Sequence, residues 1–245
     1  DVDVIKEALF PTFEETLGII EITMSQEESF KDWGTSHIVD AQQKPRIQHM
    51  HDNLVILITE ILANKMEEKP KYHSRLVNSM KDKDRLKSTA FISLNYDVLI
   101  DKALALLMPD YYIDYLVEFS NFGRQWKRPI RNKSIYLLKL HGSLNWLYCP
   151  TCRDVRMTFE SDGICKIKTT PQECCCEMCN TLVIPIVIPP TYFKALNNLY
   201  LRHLWDATER ILMGCKRIIF CGYSFPDADV HIRYLLKRVE INRGE

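Results

Sequence analysis

The 245-residue sequence predicts an α/β protein with a mainly parallel sheet and helices on both faces. Short, almost continuously apolar runs alternate with helical periodicities, which is typical of parallel strands joined by crossover helices. Strands without polar alternation fit a sheet that is covered on both faces. A third observation, the seven cysteines that lie within residues 149–179, predicts a small metal-binding insertion.

The amino-terminal part of the chain, residues 1–87, predicts a helical segment. From Ile47 to Ile61 the apolar positions recur at three- and four-residue steps, which places them on one helical face. The alternation of strands and helices follows this segment. The strand-like runs are residues 90–94, 135–140, 182–188 and 217–221, and the helical patterns are residues 98–108, 193–211 and 227–239.

Charge and hydropathy exclude several classes of function. The 32 basic and 32 acidic residues cancel, which argues against a protein that coats nucleic acid or an anionic membrane. The longest apolar runs, such as residues 103–108, are far shorter than the roughly 20 residues of a membrane span, and no signal peptide is visible. Nine cysteines, an odd number, fit a reducing compartment, so we expect a cytoplasmic protein.

Two C-x2-C pairs predict a structural zinc site, and these are Cys149 with Cys152 and Cys176 with Cys179. Four thiolates suit a tetrahedral Zn²⁺ ion and leave no open position for a substrate, and the metal can crosslink an insertion that has little core. Cys174 or Cys175 is an alternative to Cys176. A redox C-x-x-C is another interpretation, whereas unpaired core cysteines would not explain two correctly spaced pairs.

Polar clusters follow three of the strand-like runs: residues 93–97 (SLNYD), His141 with Gly142, and residues 222–224 (GYS). Parallel strands end at the same edge of a sheet, where open α/β sheets bind ligands, so we expect the clusters to converge on one crevice. Each cluster alone has a simpler interpretation. An Asn or Asp after a strand is usually a turn or a helix cap, and a lone His before Gly is more often structural than catalytic.

Taken together, in this order and around a cysteine insertion, the clusters resemble the sirtuin superfamily. The matching motifs are SLNYD at residues 93–97, KLHGS at 139–143, the four-cysteine ribbon that follows, and GYS at 222–224. The strings HGSLNW and GYSFPDAD are most similar to the sirtuin-like, NAD-consuming domains of bacterial antiphage defence proteins. Leu94 and Tyr96 replace the Gln and Ile that are usual in deacylases, which argues against acyl-lysine chemistry.

This resemblance implies that NAD is a substrate whose nicotinamide–ribose bond is cleaved. It implies catalytic roles for Asn95, which would orient ribose hydroxyls or a water, and for His141, which would act as a general base. The NAD-binding residues that the resemblance implies are Ser93, Asn95, Asp97, Gly222 and Ser224. Among these, Asp97 would accept from the nicotinamide carboxamide, and Ser224 would donate to a phosphate or ribose.

The resemblance also implies a domain layout. We expect a Rossmann-like domain formed by residues 1–148 and 181–245, with a zinc-ribbon insertion at residues 149–180. Sirtuins carry a glycine-rich loop after their first strand, and nothing in residues 1–89 matches it. We therefore expect that strand and loop to precede Asp1.

The function predicted is an NAD⁺ glycohydrolase that releases nicotinamide and ADP-ribose as an antiphage effector. The alternatives are an NAD-dependent protein deacylase and a catalytically inactive module that senses NAD or ADP-ribose. The resemblance further implies a homo-oligomer and a partner defence protein. We expect no nucleic-acid or membrane partner.

Overall fold

The computed structural model describes residues 13–26, 46–65, 70–121, 127–158, 175–187, 199–227 and 229–244. The helices are α1 (Phe13–Ser25), α2 (Arg46–Lys65), α3 (Lys71–Asp82), α4 (Leu99–Leu107), α5 (Leu199–Gly214) and α6 (Val230–Arg243). The strands are β1 (Ala90–Ser93), β2 (Tyr112–Asp114), β3 (Ser134–Lys139), β4 (Gly142–Tyr148), β5 (Val155–Met157) and β6 (Ile184–Val187). The prediction of a helical amino-terminal segment is confirmed by α1, α2 and α3.

A parallel sheet in the order β1-β3-β2 forms the first layer of the fold. Strand β1 falls within the predicted run at residues 90–94, and β3 overlaps the predicted run at residues 135–140. Helix α4 lies between β1 and β2 in the chain and provides the crossover that parallel strands require. The prediction of an α/β fold with a parallel sheet is therefore confirmed.

The central strand β3 is covered on both faces. Successive side chains of a strand point to opposite faces, and the consecutive residues Leu137 and Leu138 are both completely buried. The apolar side chains of α4 and α5, including Leu104 and Leu204, belong to the same core. Burial on both sides explains why this run lacks the polar alternation of a half-exposed strand.

A second, antiparallel sheet in the order β5-β4-β6 follows directly in the chain. The predicted run at residues 182–188 contains β6, but this strand pairs antiparallel with β4 and not with the parallel sheet. Strand β4 was not predicted: Gly142 was assigned to a polar cluster, and residues 143–148 were assigned to no strand. The chain thus changes from one sheet to the other between Lys139 and Gly142.

The predicted strand at residues 217–221 is not a strand in the structure. Its apolar side chains are largely exposed, and Ile219 reaches 72%. A strand is stabilised by pairing, and these residues form no ladder with any strand of the described ranges. Apolar composition alone therefore led to a wrong prediction at this point.

The two carboxyl-terminal helices are tied to each other and to the core. Thr208 is completely buried on α5, and its hydroxyl donates to the Leu204 carbonyl. The Arg243 side chain at the end of α6 donates to the carbonyls of Leu212 and Cys215, which satisfies acceptors at the end of α5. Helix α6 ends at Arg243 and is followed by Gly244, whose φ of +72° is the left-handed conformation common after a helix. Residues 191–198, where the predicted helix begins, lie outside the described ranges.

Candidate functional site

A sharp corner of the chain positions His141. Strand β3 ends at Lys139 and β4 begins at Gly142, so His141 lies where the two sheets meet. Gly142 has a φ of +83°, and a Cβ atom at this position would lie 2.0 Å from the Ile186 carbonyl oxygen. Only glycine satisfies both conditions. The backbone geometry therefore explains why glycine follows His141, independently of any catalytic role.

His141 is buried and faces a carboxylate. It is 3% exposed, and its Nε2 lies 3.7 Å from Oδ1 of Asp229, which is 5% exposed. The ring of Tyr96 packs beside it, with 6.2 Å between ring centroids. The preceding carbonyl, that of Leu140, accepts a 3.0 Å hydrogen bond from the Trp205 indole of α5. The structure thus brings together an imidazole and a carboxylate that are both shielded from water.

The loop after β1 adjoins this corner. The Leu140 amide donates to the Ser93 carbonyl at 3.2 Å, and the Leu144 amide donates to the Tyr96 carbonyl at 3.0 Å. These bonds place the predicted cluster at residues 93–97 next to His141, at the carboxyl edge of the parallel sheet. Two of the three clusters that the sequence predicts to converge are therefore adjacent.

The side chains of this loop have distinct surroundings. The Ser93 hydroxyl accepts a hydrogen bond from the backbone N–H of Asn95 and donates one to the backbone carbonyl of Asn95, at 3.3 Å in each case. Asp97 Oδ1 accepts from the Leu99 amide at 2.9 Å, so this carboxylate satisfies a donor at the start of α4. Asn95 is exposed. Ser93 and Asp97 thus also serve the turn and the helix start.

A buried lysine holds the loop at residues 93–97 in place by a hydrogen bond to its backbone. Lys139 is completely buried, its Nζ lies 3.2 Å from Asp101 Oδ2, and it also donates to the Asp97 carbonyl. The Tyr115 hydroxyl donates to Asp101 Oδ1 at 2.6 Å. Burial, reinforced by the Asp101 carboxylate, raises the pKa of Tyr115 well above its ordinary value. Sequence reasoning missed this network, although a lysine within an apolar strand was a usable signal.

The third cluster reaches the corner through Asp229. The Tyr223 hydroxyl donates to Asp229 Oδ2 at 2.8 Å, so Asp229 lies between Tyr223 and His141. Gly222, with a φ of +66°, and Ser224 are exposed on the same turn. The turn is thus linked to the corner by a tyrosine and an aspartate, which sequence reasoning did not assign to the site.

The four predicted cysteines lie together, and all four Sγ atoms are within 4.8 Å of one another. The Cys149–Cys179 and Cys152–Cys176 Sγ distances are 3.5 and 3.9 Å. A tetrahedral Zn²⁺ with Zn–S bonds of about 2.3 Å requires sulfurs about 3.8 Å apart. The donor set therefore fits zinc. Cys176 belongs to the cluster, whereas Cys175 bridges to Leu182 through its backbone, and Cys174 lies outside the described residues.

Both cysteine pairs sit on the same backbone turn. In the first turn the Arg153 amide donates to the Cys149 carbonyl, and in the second the Asn180 amide donates to the Cys176 carbonyl, each at 2.8 Å. Arg153 and Asn180 have left-handed φ angles of 59° and 57°. Two such turns, facing each other, aim four sulfurs at one point.

The protonation of the thiols differs across the cluster. A hydrogen bond with the Thr181 hydroxyl lowers the pKa of Cys179 to about 6. A hydrogen bond with Cys179 raises the pKa of Cys152 to about 12, and burial raises the pKa of Cys149. A cluster that shares protons in this way binds a metal by releasing them, because a metal ligand must be a thiolate.

Comparison with known protein families gives a match over most of the chain. A model of the SIR2-like domain matches residues 89–245, which include β1, the His141 corner, the cysteine cluster and the turn at Asp229. The chain belongs to this family. It therefore has a sirtuin-like α/β fold, and within that fold the four-cysteine cluster is compatible with a zinc ribbon.

Solved structures give more distant matches. The chain is similar to a Sir2–p53 peptide–NAD⁺ complex, with 14% identity, coverage of 94% of this chain and 83% of that one, and a TM-score of 0.45. It is also similar to Sir2Tm bound to a propionylated peptide, with 17% identity, coverage of 99% and 81%, and a TM-score of 0.46. A structure on sirtuin substrate affinity shares 17% identity over 70% of this chain, at a TM-score of 0.39, and this chain spans 55% of its length.

No curated protein matches the sequence. Among the described residues, no helix combines the length and the apolar character that a membrane span requires.

Proposed function

We propose that this chain is an NAD⁺ glycohydrolase that uses Asn95 and His141. The observation that carries the proposal is the corner after β3, where a buried imidazole adjoins the loop that bears Asn95. Membership of the SIR2-like family makes NAD the expected substrate. The Sir2 complex that contains NAD⁺ is consistent with that substrate class.

The chemistry proposed is displacement of nicotinamide from C1′ of the ribose by water. A water oxygen bonds to C1′, the C1′–N bond breaks, and its electron pair leaves with nicotinamide. The transition state is oxocarbenium-like, so the site must hold the ribose and accept a proton from the attacking water. His141 accepts that proton, and the Asn95 amide orients the water or the ribose hydroxyls.

The binding residues proposed are Ser93, Asp97, Gly222 and Ser224, together with Asn95. The second carboxylate oxygen of Asp97 accepts from the nicotinamide carboxamide, since Oδ1 is bonded to the Leu99 amide. Gly222 allows the backbone to approach the ligand closely, because its Cα carries no side chain and a Cβ there would meet only open space. Ser224 donates to a phosphate or ribose oxygen.

A structural zinc ion is also part of the proposal. Cys149, Cys152, Cys176 and Cys179 hold it, and their sulfur spacing fits a tetrahedral site. The ion crosslinks two turns that have little core of their own, and four thiolates leave no position for a substrate. The proposed insertion comprises residues 149–180, and residues 1–148 and 181–245 form the Rossmann-like domain.

The biological role proposed is that of an antiphage defence effector in the cytoplasm, working as a homo-oligomer with a partner defence protein. The motifs HGSLNW and GYSFPDAD support this role by their resemblance to such domains. Infection of bacteria that carry the wild-type gene or the His141→Ala variant tests it. We expect NAD⁺ depletion and protection only with the wild type, and equal phage yields would contradict the role.

Product analysis tests the enzymatic function. The protein is incubated with NAD⁺ in the presence and absence of an acetyl-lysine peptide. Free ADP-ribose without peptide is the expected result, acyl-ADP-ribose would identify a deacylase, and binding without turnover would identify a sensor.

Five variants complete the experiment. Asn95→Ala and His141→Ala should each abolish turnover, and the double variant should lose no more, because residues that act as a unit are non-additive. The matched controls Asn78→Ala and His203→Ala change exposed residues of α3 and α5 and should leave turnover unchanged. Wild-type turnover in Asn95→Ala would contradict the site assignment.

A further inference from the structure

Asp229 occupies an unusual place for a helix-capping residue. It precedes α6 at the N-cap position, where an aspartate usually accepts from the backbone of the first turn, yet its side chain makes no such bond. The carboxylate is instead directed into the protein. Its Oδ1 lies 3.7 Å from His141 Nε2, and its Oδ2 accepts from the Tyr223 hydroxyl at 2.8 Å.

Both members of the His141–Asp229 pair are shielded from water. Their side chains are 4% and 8% exposed. A carboxylate buried beside an imidazole stabilises the protonated ring, because the charges attract more strongly where water is excluded. Burial and, to a smaller extent, the hydrogen bond to Asp229 raise the pKa of Tyr223. Its hydroxyl therefore remains a hydrogen-bond donor at neutral pH.

We infer that Asp229 is a positioning residue that acts through His141. Its carboxylate keeps the proton of the neutral ring on Nε2 and leaves Nδ1 as the nitrogen that accepts a proton. This inference rests on the proposed function, in which His141 is the general base. When water attacks C1′, the water proton moves to Nδ1, the ring becomes an imidazolium, and the Asp229 carboxylate balances the new charge. Tyr223 fixes the other carboxylate oxygen.

A second aspartate on the same turn provides a matched control. Asp227 lies two residues before Asp229, is exposed, and pairs with Arg233 at 2.9 Å. It carries the same charge and differs in having no contact with the buried corner. If the negative charge of the turn alone supported turnover, substitution of either aspartate should lower it. If Asp229 positions His141, only the substitution of Asp229 should do so.

Kinetics of three variants test the inference. Asp229→Asn should lower kcat by about a hundredfold or more, because an amide can stabilise the wrong tautomer of the ring. KM should change by less than about threefold, because the substrate contacts remain. Tyr223→Phe should give a smaller loss of kcat, and Asp227→Asn should behave like the wild type. The melting temperature of Asp229→Asn should stay within about 4 °C.

Nitrogen NMR of labelled protein without NAD⁺ tests the inference independently of turnover. The His141 signals, assigned with His141→Gln, should show the proton on Nε2 in the wild type and its redistribution in Asp229→Asn. A proton on Nδ1 in the wild type, or full kcat in Asp229→Asn while His141→Ala is inactive, overturns the inference. If the wild type cleaves no NAD⁺, the proposed function fails, and the NMR result still decides whether Asp229 sets the tautomer.

Discussion

The cysteine cluster and the His141 corner are built in opposite ways. The cluster takes four chemically identical ligands from two copies of one backbone turn. The corner takes an imidazole, a carboxylate and a loop from three separate parts of the chain. A closed set of thiolates can only crosslink, whereas a buried His–Asp pair can exchange a proton. We therefore expect perturbation of the cluster to change stability and perturbation of the corner to change turnover.

The corner itself contains a second buried ion pair of a different kind. Lys139 and Asp101 lie behind the loop at residues 93–97 and form an ammonium–carboxylate pair. His141 and Asp229 form a pair in which one member is an imidazole, whose ring nitrogens can donate and accept a proton. Lys139 of the first pair also donates to the Asp97 carbonyl, which holds the loop in place, whereas the imidazole of the second pair can take part in proton transfer.

The largest expected effect is on the cluster. Removing zinc with a chelator should lower the melting temperature by many degrees, since structural zinc sites contribute about 10–16 kcal/mol in isolated zinc-finger peptides. Cys176→Ser should do the same, and the neighbouring Cys175→Ser should not. Calorimetry and zinc analysis measure both effects. Purified protein without zinc would contradict the prediction.

The next effect concerns the pair of Lys139 and Asp101. Lys139→Met should lower the free energy of unfolding by about 3–5 kcal/mol, because it leaves the Asp101 carboxylate buried without its cation. Adding Asp101→Asn should restore part of this loss. The surface pair of Arg238 and Glu209 serves as the control, and Arg238→Met should cost at most about 1 kcal/mol. Equal losses in urea unfolding would show that burial of the pair is unimportant.

A smaller effect is expected at the corner glycine. Gly142→Ala should cost about 2 kcal/mol or more, because it combines a left-handed φ with a contact against the Ile186 carbonyl. Gly222→Ala has the same kind of φ without a contact and should cost only about 1 kcal/mol. Thermal unfolding of both variants separates the two causes. An equally stable Gly142→Ala protein would argue against the described corner.

The smallest effect is chemical and concerns the order in which the thiols of the cluster react. With its pKa lowered to about 6, the Cys179 thiol is mostly a thiolate at pH 7 in the metal-free cluster, whereas Cys152, with a pKa of about 12, is protonated. A brief exposure to iodoacetamide should therefore label Cys179 before Cys152, and added zinc should protect both. Peptide mass spectrometry reads the order of labelling, and the reverse order would contradict the described hydrogen bonds.

The two regions also differ in how well the sequence predicts them. Two C-x2-C pairs encode the cluster locally, because each backbone turn needs only a few consecutive residues. The family motifs likewise point to Asn95 and His141, whose roles remain predictions. Asp229 lies within the GYSFPDAD string but was not assigned to the site, because its partner is distant in sequence and no local pattern signals that its side chain turns inward.

Errors in the predicted strands have a related cause. Residues 135–140 were predicted correctly because burial on both faces demands an apolar run. Residues 90–94 form the neighbouring parallel strand, whose side chains are half-buried. Residues 217–221 have the same composition but no partner in the described ranges, and pairing is not a property of a single segment. Strand β4 was missed because Asn145 and Ser143 interrupt its apolar pattern. Both are buried and bonded to each other at 2.7 Å, a compensation that composition does not reveal.

The direction of the Asp229 side chain implies a trade-off between the stability of the fold and catalysis. An N-cap that bonds the first turn typically stabilises a helix by about 1 kcal/mol, and α6 does without this bond. A serine at position 229 is short enough to cap α6 and too short to reach His141. Asp229→Ser should therefore melt at a higher temperature than the wild type and cleave NAD⁺ more slowly. Selection for heat resistance alone would be expected to find this substitution, and selection for activity would be expected to reverse it.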